Sequence, residues 1–185
     1  MKKIITTAVA GLLLSTAAHA AEPQFFIGAG VAWQEDQIDG GVNKDSQSEA
    51  WQGRFGVILN DNHRFSGTYS YKEDDFSAAG DDFKLYQNLF LASYDYMHAI
   101  DDAGKFNLFA GLSAGVVNNK FDGNANSDFV WGGQVGAEYR ITQKWSTELG
   151  YRYLDQDYDE PGHRIGGQYQ LDTSHQFYLS VDYRF

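Results

Sequence analysis

Seven charged residues occupy polar positions within otherwise apolar or small-residue stretches, and the chemistry open to them is ion pairing. They are Arg54, Glu138, Arg140, Glu148, Arg152, Asp182 and Arg184. An unpaired buried charge is very costly, so residues of both signs that share an enclosed interior should pair with one another. Two roles are open: a charge network that fills the interior, which we favour, or a selectivity site in a pore.

A second group could support catalysis. Ser174 and His175 are adjacent and could supply a nucleophile and a base. No acidic residue has a compelling position to orient the histidine, so we expect both to be ordinary strand residues. The chain shows no zinc pattern, phosphate-binding loop or cofactor motif. We therefore expect no enzymatic activity and no cofactor, with a lipid-modifying enzyme as a minor alternative.

Acidic residues concentrate in polar stretches between the apolar ones. Asp155, Asp157 and Asp159 are spaced like the start of an EF-hand calcium loop. Position six would be Glu160 rather than Gly, and position twelve Gly166 rather than Glu, so the match fails. We expect these acids to keep loops solvated, with a loose divalent-cation site as the alternative. The net charge of −11 argues against a nucleic-acid partner.

The first twenty residues have the pattern of a secretory signal peptide. Lys2 and Lys3 precede an apolar run from Ile4 to Leu14, and Ala18-His19-Ala20 offers a small-residue cleavage site. The apolar run is too short for a transmembrane helix. We expect a signal peptide over residues 1–20 and one barrel domain over residues 21–185. The chain has no cysteine, so no disulfide is expected.

Alternation with a period of two runs through the rest of the chain and predicts β-strands. It is clearest in the last stretch, where Phe177, Leu179, Val181, Tyr183 and Phe185 alternate with polar residues and a tyrosine. The eight predicted strands span residues 24–34, 49–59, 64–72, 83–97, 105–117, 129–140, 145–154 and 174–185.

The fourth strand has an ambiguous register, because Leu89, Phe90 and Leu91 are contiguous. We place one set on its apolar face and Asn88 and Asp95 on the opposite face. The apolar set is Tyr86, Phe90, Ala92, Tyr94 and Tyr96.

The predicted connections alternate between long and short. One end of the predicted sheet carries four long polar loops, and the other carries three short turns and both termini, as expected of an outer-membrane barrel. A soluble, lipocalin-like barrel is the alternative. Two observations favour a membrane barrel over a soluble one. The apolar positions carry no charge, and glycines recur on the polar face, where a narrow interior leaves little space for side chains.

Large aromatic residues also lie near both ends of the apolar face, which suits two membrane interfaces. At the turn end we predict Phe25, Phe65, Tyr139, Trp145, Tyr183 and Phe185, and at the loop end Trp33, Trp51, Tyr71, Trp131, Tyr153 and Phe177. The prediction is therefore an all-β fold, an eight-stranded antiparallel up-and-down transmembrane β-barrel. Its interior is just wide enough for side chains, so the seven charges are predicted to plug it.

The chain resembles the small eight-stranded outer-membrane β-barrel family, which includes the OmpA-like and opacity-protein-like proteins and is sometimes labelled porin family. The most telling parts are Phe-Tyr-Leu-Ser-Val-Asp-Tyr-Arg-Phe, residues 177–185, and Glu-Leu-Gly-Tyr-Arg-Tyr, residues 148–153. The resemblance implies residence in the outer membrane of a Gram-negative bacterium, among lipid and lipopolysaccharide. It also implies that the barrel-assembly machinery reads Phe185 as an assembly signal.

The expected function is that of a monomeric surface or structural protein of the envelope, with acidic outer loops facing the environment. An adhesin or ligand-binding surface protein and a narrow, porin-like channel remain as alternatives. No motif in the loops names a ligand.

Overall fold

The computed structural model describes residues 23–39, 46–78, 81–121, 124–156 and 170–185, with side chains over 23–34, 48–72, 87–118, 127–155 and 173–185. Eight strands make up the regular structure of these residues: β1 (Gln24–Asp39), β2 (Ser46–Leu59), β3 (His63–Ala78), β4 (Asp81–Ala99), β5 (Phe106–Phe121), β6 (Asn124–Arg140), β7 (Trp145–Gln156) and β8 (Gln170–Arg184). No helix among them is long and apolar enough to cross a membrane. The predicted signal peptide lies outside the described residues.

The strands form one closed antiparallel barrel in chain order. β8 returns to pair with β1, so that Phe26 lies opposite Arg184 and Trp33 opposite Phe177. The backbone N–H of Phe185 extends the seam by donating to the carbonyl of Phe25 at 3.1 Å. Closure pairs every strand edge, which a sheet surrounded by lipid requires. The predicted eight-stranded barrel is confirmed.

The two faces of the barrel differ in polarity, as the alternation predicts. Leu112 points outward and is 68% exposed, whereas its neighbour Ser113 points inward and is 4% exposed. Arg54 and Phe55 on β2 show the same switch from buried to exposed. The apolar face is therefore the outside, and the polar face lines the lumen.

The strands are longer than predicted at one end of the barrel. β3 reaches Ala78 before β4 begins at Asp81, and β5 reaches Phe121 before β6 begins at Asn124. The predicted long loops over residues 73–82 and 118–128 are therefore wrong. Ladder hydrogen bonds join backbone groups, so a polar, acidic sequence can continue a hairpin beyond the apolar band.

The two ends of the barrel are named here by their connections. The turn end carries residues 60–62, 100–105 and 141–144, and the loop end is the opposite end, where β1, β3, β5 and β7 finish. At the turn end, Asn60 and Asp61 adopt positive φ values of 53° and 59°, and Gly104 has a φ of 62°. These are the left-handed conformations that Asn, Asp and Gly accept most readily in tight turns.

The placement of Asn88 on the inner face of β4 is wrong. Alternation along β4 is unbroken: Leu89 and Leu91 are buried inward, and Phe90 is exposed. Asn88 shares the outer face with Phe90, and its Oδ1 accepts a hydrogen bond from Tyr69 Oη at 2.7 Å. This bond satisfies a polar group that the pleat turns outward. Tyr86, which was also predicted on the apolar face, is not among the residues whose side chains the structure describes.

Candidate functional site: the filled lumen

Glu148 is the hub of the interior. It points inward from β7 and is 1% exposed. Its Oε1 accepts hydrogen bonds from Arg54 Nη1 at 2.8 Å and from Tyr178 Oη at 2.9 Å. Its Oε2 accepts a short hydrogen bond from Arg64 Nη1. One carboxylate thus joins two buried guanidinium groups, from β2 and β3, across the barrel from β7.

A second acid continues this network toward β6. Arg64 Nε donates to Asp95 Oδ2 at 2.9 Å. The other oxygen of Asp95 accepts a hydrogen bond from Gln134 Nε2 at 2.5 Å. Gln134 Oε1 in turn accepts hydrogen bonds from Arg152 Nε at 2.8 Å and from Ser113 Oγ at 3.2 Å. Charged and amide groups therefore form one continuous set of hydrogen bonds across the lumen.

Arg152 joins this set through amides. Beyond its bond to Gln134, its Nη1 lies 3.4 Å from Gln176 Oε1, and its guanidinium lies over the Tyr178 ring, 4.9 Å from the centroid. Gln176 Nε2 then donates to Gln34 Oε1 at 2.8 Å. Neutral acceptors and an aromatic face stabilise this buried cation.

Asp182 belongs to the same layer, with Oδ1 3.4 Å from Arg54 Nε. It occupies the space that Gly28 leaves on β1, since a Cβ at residue 28 would lie 1.8 Å from this Oδ1. Gly150 does the same for Tyr178: a Cβ there would lie 2.3 Å from Cζ and 2.5 Å from the hydroxyl oxygen. Two inward glycines thus give room to two members of the network.

A separate network lies at the turn end. Glu138 Oε2 accepts from Arg184 Nη2 at 2.6 Å, and its Oε1 accepts from Asn107 Nδ2 at 3.2 Å. Arg140 Nε is 3.5 Å from the same Oε1, and Arg140 Nη2 is 3.7 Å from Asp61 Oδ1. Asp61 lies on the β2–β3 turn, so the Arg140 side chain reaches across the turn-end mouth.

Two clusters of buried apolar side chains pack within the lumen. One contains Phe26, Ala32, Ala50, Ile58, Met97, Phe109 and Tyr178, and the other contains Leu89, Leu91, Val117, Val130 and Leu154. The Arg54 guanidinium lies over the Phe26 ring at 5.5 Å, and that of Arg64 lies over Phe109 at 4.6 Å. The charged layer is therefore packed against apolar rings, and the second cluster adds an apolar region on the loop-end part of β4–β7.

The structure brings the seven charged residues named from the sequence into the lumen, in two groups. Arg54, Glu148, Arg152 and Asp182 join the hub, and Glu138, Arg140 and Arg184 form the turn-end network. Sequence reasoning missed Arg64, Asp95, Gln134 and Tyr178 as members. Each lies at a buried, inward position of the alternation on its strand, and Asp95 was already placed opposite the apolar face, so counting every inward polar side chain would have found them.

The named aromatic residues all point outward from the barrel. In the turn-end group, the Trp145 and Tyr183 rings pair at 5.0 Å, and Tyr139 pairs at 4.6 Å with Phe106, a neighbour outside the named set. In the loop-end group, Trp33 lies opposite Phe177 in the β1–β8 register, and Trp51 lies opposite Tyr71 in the β2–β3 register. Trp51 is 70% exposed.

Ser174 and His175 lie on opposite faces of β8. Ser174 is fully buried in the lumen, whereas His175 points outward, with Nδ1 2.5 Å from Tyr151 Oη. Consecutive strand residues cannot both face one substrate, so this pair cannot act as a nucleophile and its base. Asp157 and Asp159 of the failed EF-hand pattern lie outside the described residues.

Comparison with known proteins agrees with this architecture. The family model described as outer membrane protein beta-barrel domain matches residues 4–185. No curated protein matches the chain. Among solved structures, Neisserial surface protein A is 20% identical, with a TM-score of 0.63 and coverage of 87% of this chain and 97% of that one.

Two further structures have the same fold. Ail, the attachment invasion locus protein of Yersinia pestis, solved with the heparin analogue sucrose octasulfate, is 16% identical; its TM-score is 0.63, covering 89% of this chain and 100% of that one. Outer membrane protein H of P. aeruginosa is 25% identical; its TM-score is 0.56, covering 86% and 99%. The chain belongs to the outer membrane protein β-barrel domain family and resides in the outer membrane of a Gram-negative bacterium.

Proposed function

We propose that this protein is a non-conducting, non-enzymatic structural and surface barrel of the outer membrane. The observation that carries the proposal is the Glu148 hub, in which residues from β2, β3 and β8 all bond to one carboxylate of β7. Side chains that meet in this way leave little cross-section for a water-filled path in an eight-stranded barrel.

The energetics also favour a closed lumen. A pore through the hub would have to separate Glu148 from Arg54 and Arg64, whose side chains are 5% and 1% exposed. Removing one partner of a buried ion pair costs about 3–5 kcal/mol, because the other charge stays buried without compensation. The apolar cluster of Leu89, Leu91, Val117, Val130 and Leu154 would oppose ion passage beyond the hub.

The outer face and the termini of the barrel suit the partners expected of such a protein. The outward aromatic groups would contact membrane lipid and, on the loop-end side, lipopolysaccharide. Phe185, which continues the β1–β8 seam, would be the residue that the barrel-assembly machinery reads. In this proposal the protein works as a monomer.

Adhesion or ligand binding at the loop end is a second candidate. The β3–β4 hairpin continues past the apolar band, and its paired strands carry Asp74, Asp75, Asp81 and Asp82. Ail was solved with a sulfated, polyanionic ligand. An acidic hairpin would repel such a ligand and favour a cationic partner. Loss of binding to a polycationic surface after Asp74→Asn and Asp75→Asn together would support this candidate.

Conductance measurement tests the non-conducting barrel directly. The folded protein, reconstituted into a planar lipid bilayer, should give no unitary current steps. The Glu148→Ala variant, refolded and checked for the same heat-dependent shift in gel mobility, should leak more than the wild type. Regular unitary currents from the wild-type barrel would overturn the proposal and favour the channel.

A further inference from the structure

The pattern Tyr-x-Tyr occurs three times in the chain, each time with both tyrosines on the outer face. It lies at residues 69–71 of β3, 94–96 of β4 and 151–153 of β7. In each case a polar residue of a neighbouring strand lies directly opposite the second tyrosine: Asn88 opposite Tyr71, His63 opposite Tyr96 and His175 opposite Tyr153. We call these groups the three Tyr-x-Tyr clusters.

The polar residue of each cluster bonds diagonally to the first tyrosine, which is within reach across two paired strands. The pairs are Tyr69 Oη with Asn88 Oδ1 at 2.7 Å, Tyr94 Oη with His63 Nδ1 at 2.8 Å, and Tyr151 Oη with His175 Nδ1 at 2.5 Å. The three clusters thus share one arrangement and differ in the acceptor, which is an amide oxygen in the first and an imidazole nitrogen in the other two.

Two tyrosine rings hold each imidazole in place. The His63 ring stacks on Tyr94 at a centroid distance of 6.1 Å and an angle of 20°, and it meets Tyr96 edge-on at 5.7 Å and 67°. The corresponding values around His175 are 6.0 Å and 28°, and 5.4 Å and 66°. The same histidine arrangement is therefore built twice, at opposite ends of the barrel.

The acceptor determines how readily the phenol can be oxidised. A phenol that loses one electron becomes a strong acid, so it loses that electron most easily when its proton can move to a base. An imidazole nitrogen takes up a proton near neutral pH, whereas an amide oxygen does not. We assign the phenols of Tyr94 and Tyr151 as donors to Nδ1, which places each imidazole's own proton on Nε2. These two phenols therefore have a base in contact, whereas Tyr69 donates to a group that is not a base.

Two other described tyrosines have contacts that oppose oxidation. Lys144 Nζ donates to Tyr183 Oη at 3.4 Å, and a cation beside a phenol makes the loss of an electron harder. Tyr178 donates to Glu148, but two guanidinium groups hold that carboxylate, and Tyr178 is 1% exposed. The hydrogen-bonded histidine thus distinguishes Tyr94 and Tyr151 from these two tyrosines.

We propose that Tyr94 and Tyr151 are preferred sites of one-electron oxidation on the outer face, and that nitrogen dioxide, a small neutral radical that dissolves in lipid, nitrates them. In the first step the radical takes one electron from the phenol and becomes nitrite, while the phenol proton moves from Oη to Nδ1 of the paired histidine. A second nitrogen dioxide bonds to the ring carbon beside the phenoxyl oxygen, and the hydrogen of that carbon moves to the oxygen, which gives 3-nitrotyrosine. The histidine then returns its extra proton to solvent. Each nitration consumes two radicals and releases one nitrite and one proton.

Nitration of the folded wild-type barrel tests the preference. The protein, in vesicles of saturated phosphatidylcholine, is exposed to nitrogen dioxide, and peptide mass spectrometry gives the nitrated fraction of each tyrosine. Tyr94 and Tyr69 are a matched pair, because each is 39% exposed on the outer face. Tyr94 and Tyr151 should be nitrated more than Tyr69, and equal nitration of the three would overturn the proposal. The result does not depend on whether the lumen conducts, because the three clusters lie outside it.

Two variants of His63 separate a base from a simple hydrogen-bond acceptor. His63→Phe keeps an aromatic ring and removes the base, whereas His63→Gln supplies an amide oxygen in its place. Both should lower nitration of Tyr94 to the level of Tyr69, while Tyr151 stays unchanged as the internal control. Wild-type nitration of Tyr94 in His63→Gln would overturn the proposal, because a base would then not be needed.

The converse variant adds a base to the cluster that lacks one. Asn88→His should raise nitration of Tyr69 above its wild-type level, and no rise in the folded variant would contradict the proposal. The heat-dependent gel shift confirms that each variant is folded. If the His63 variants fail to fold, His175→Phe and His175→Gln repeat the test at Tyr151.

Discussion

Tyr178 on β8 donates its hydroxyl to Glu148 Oε1 on the neighbouring strand β7 at 2.9 Å. The ring reaches this position because residue 150, directly opposite Tyr178 in the register, is a glycine. The same carboxylate binds Arg54 and Arg64, so a packing relationship between two adjacent strands positions an ion-pair network that spans the barrel.

Removal of the Glu148 carboxylate should destabilise the barrel strongly. In Glu148→Ala, Arg54 and Arg64 lose the acid they share while remaining buried. We expect the free energy of unfolding to fall by about 3–5 kcal/mol, measured by urea unfolding in lipid vesicles. The free energy of unfolding of the Glu148→Gln variant should lie between those of the wild type and Glu148→Ala. Glu49→Ala, on the exposed outer face, is the matched control and should change stability by less than about 0.5 kcal/mol. An unchanged midpoint for Glu148→Ala would contradict a plug built on this residue.

A methyl group at residue 150 should displace Tyr178. The added Cβ would lie 2.3 Å from the ring, so the ring must shift and its bond to Glu148 must weaken. We expect Gly150→Ala to cost about 1–3 kcal/mol, as overpacking does. Gly53→Ala, where a Cβ would meet nothing within 4 Å, is the control and should be nearly neutral.

The coupling between these two residues can be isolated with a double-mutant cycle. Tyr178→Phe keeps the ring and removes the hydroxyl, which should cost about 1 kcal/mol. If Gly150→Ala acts through the Tyr178 hydroxyl, the double variant should be less destabilised than the sum of the single variants. Strictly additive losses would show that Gly150→Ala destabilises the barrel through a contact other than the Tyr178 hydroxyl bond to Glu148.

A charge on the middle of the outer face should report contact with lipid. Leu112 points outward near the centre of β5. In Leu112→Arg, folding into bilayers should lose about 2–4 kcal/mol if this position lies at the membrane midplane. Gln143→Arg, in the exposed β6–β7 turn, is the control and should be near neutral. Equal tolerance at both positions would argue that the outer face is not in lipid.

The β4–β5 turn should lose a stabilising contact in acid. The backbone N–H of Phe106 donates to Asp101 Oδ1 at 2.7 Å, and this bond lowers the pKa of the Asp101 carboxyl below its usual value. The contribution is present above the ordinary Asp pKa and is lost as pH falls through the lowered one. Carboxyl-carbon NMR should place the Asp101 titration below that of an unstructured Asp. In Asp101→Asn, exchange of the Phe106 amide should lose its dependence on this titration.

Features that depend only on neighbouring residues of one strand could be predicted from the amino-acid sequence, whereas features that depend on pairing between strands could not. Successive side chains of a strand point to opposite faces whatever its partners, so alternation was enough to predict the outward positions of Trp33, Leu112 and Phe177. Among the described side chains, the one residue assigned to the wrong face is Asn88, because a break in alternation was assumed there and the strand is regular. The strand ends near Ala78 and Phe121 were missed because they were predicted from the extent of the apolar alternation. That alternation extends only as far as the outer face contacts lipid, whereas hydrogen bonding between backbones determines where a strand ends.

The amino-acid sequence by itself determined that the chain has eight two-faced strands, which face of each carries charge, and that a closed ring satisfies them all. Only the tertiary structure decided which charges meet. Arg54 and Glu148 are 94 residues apart in the chain, and Arg64 and Asp95 belong to the same network. Closure, strand register and the space left by Gly28 and Gly150 bring these groups together. Contacts across a barrel depend on its register as a whole, which no single strand's pattern contains.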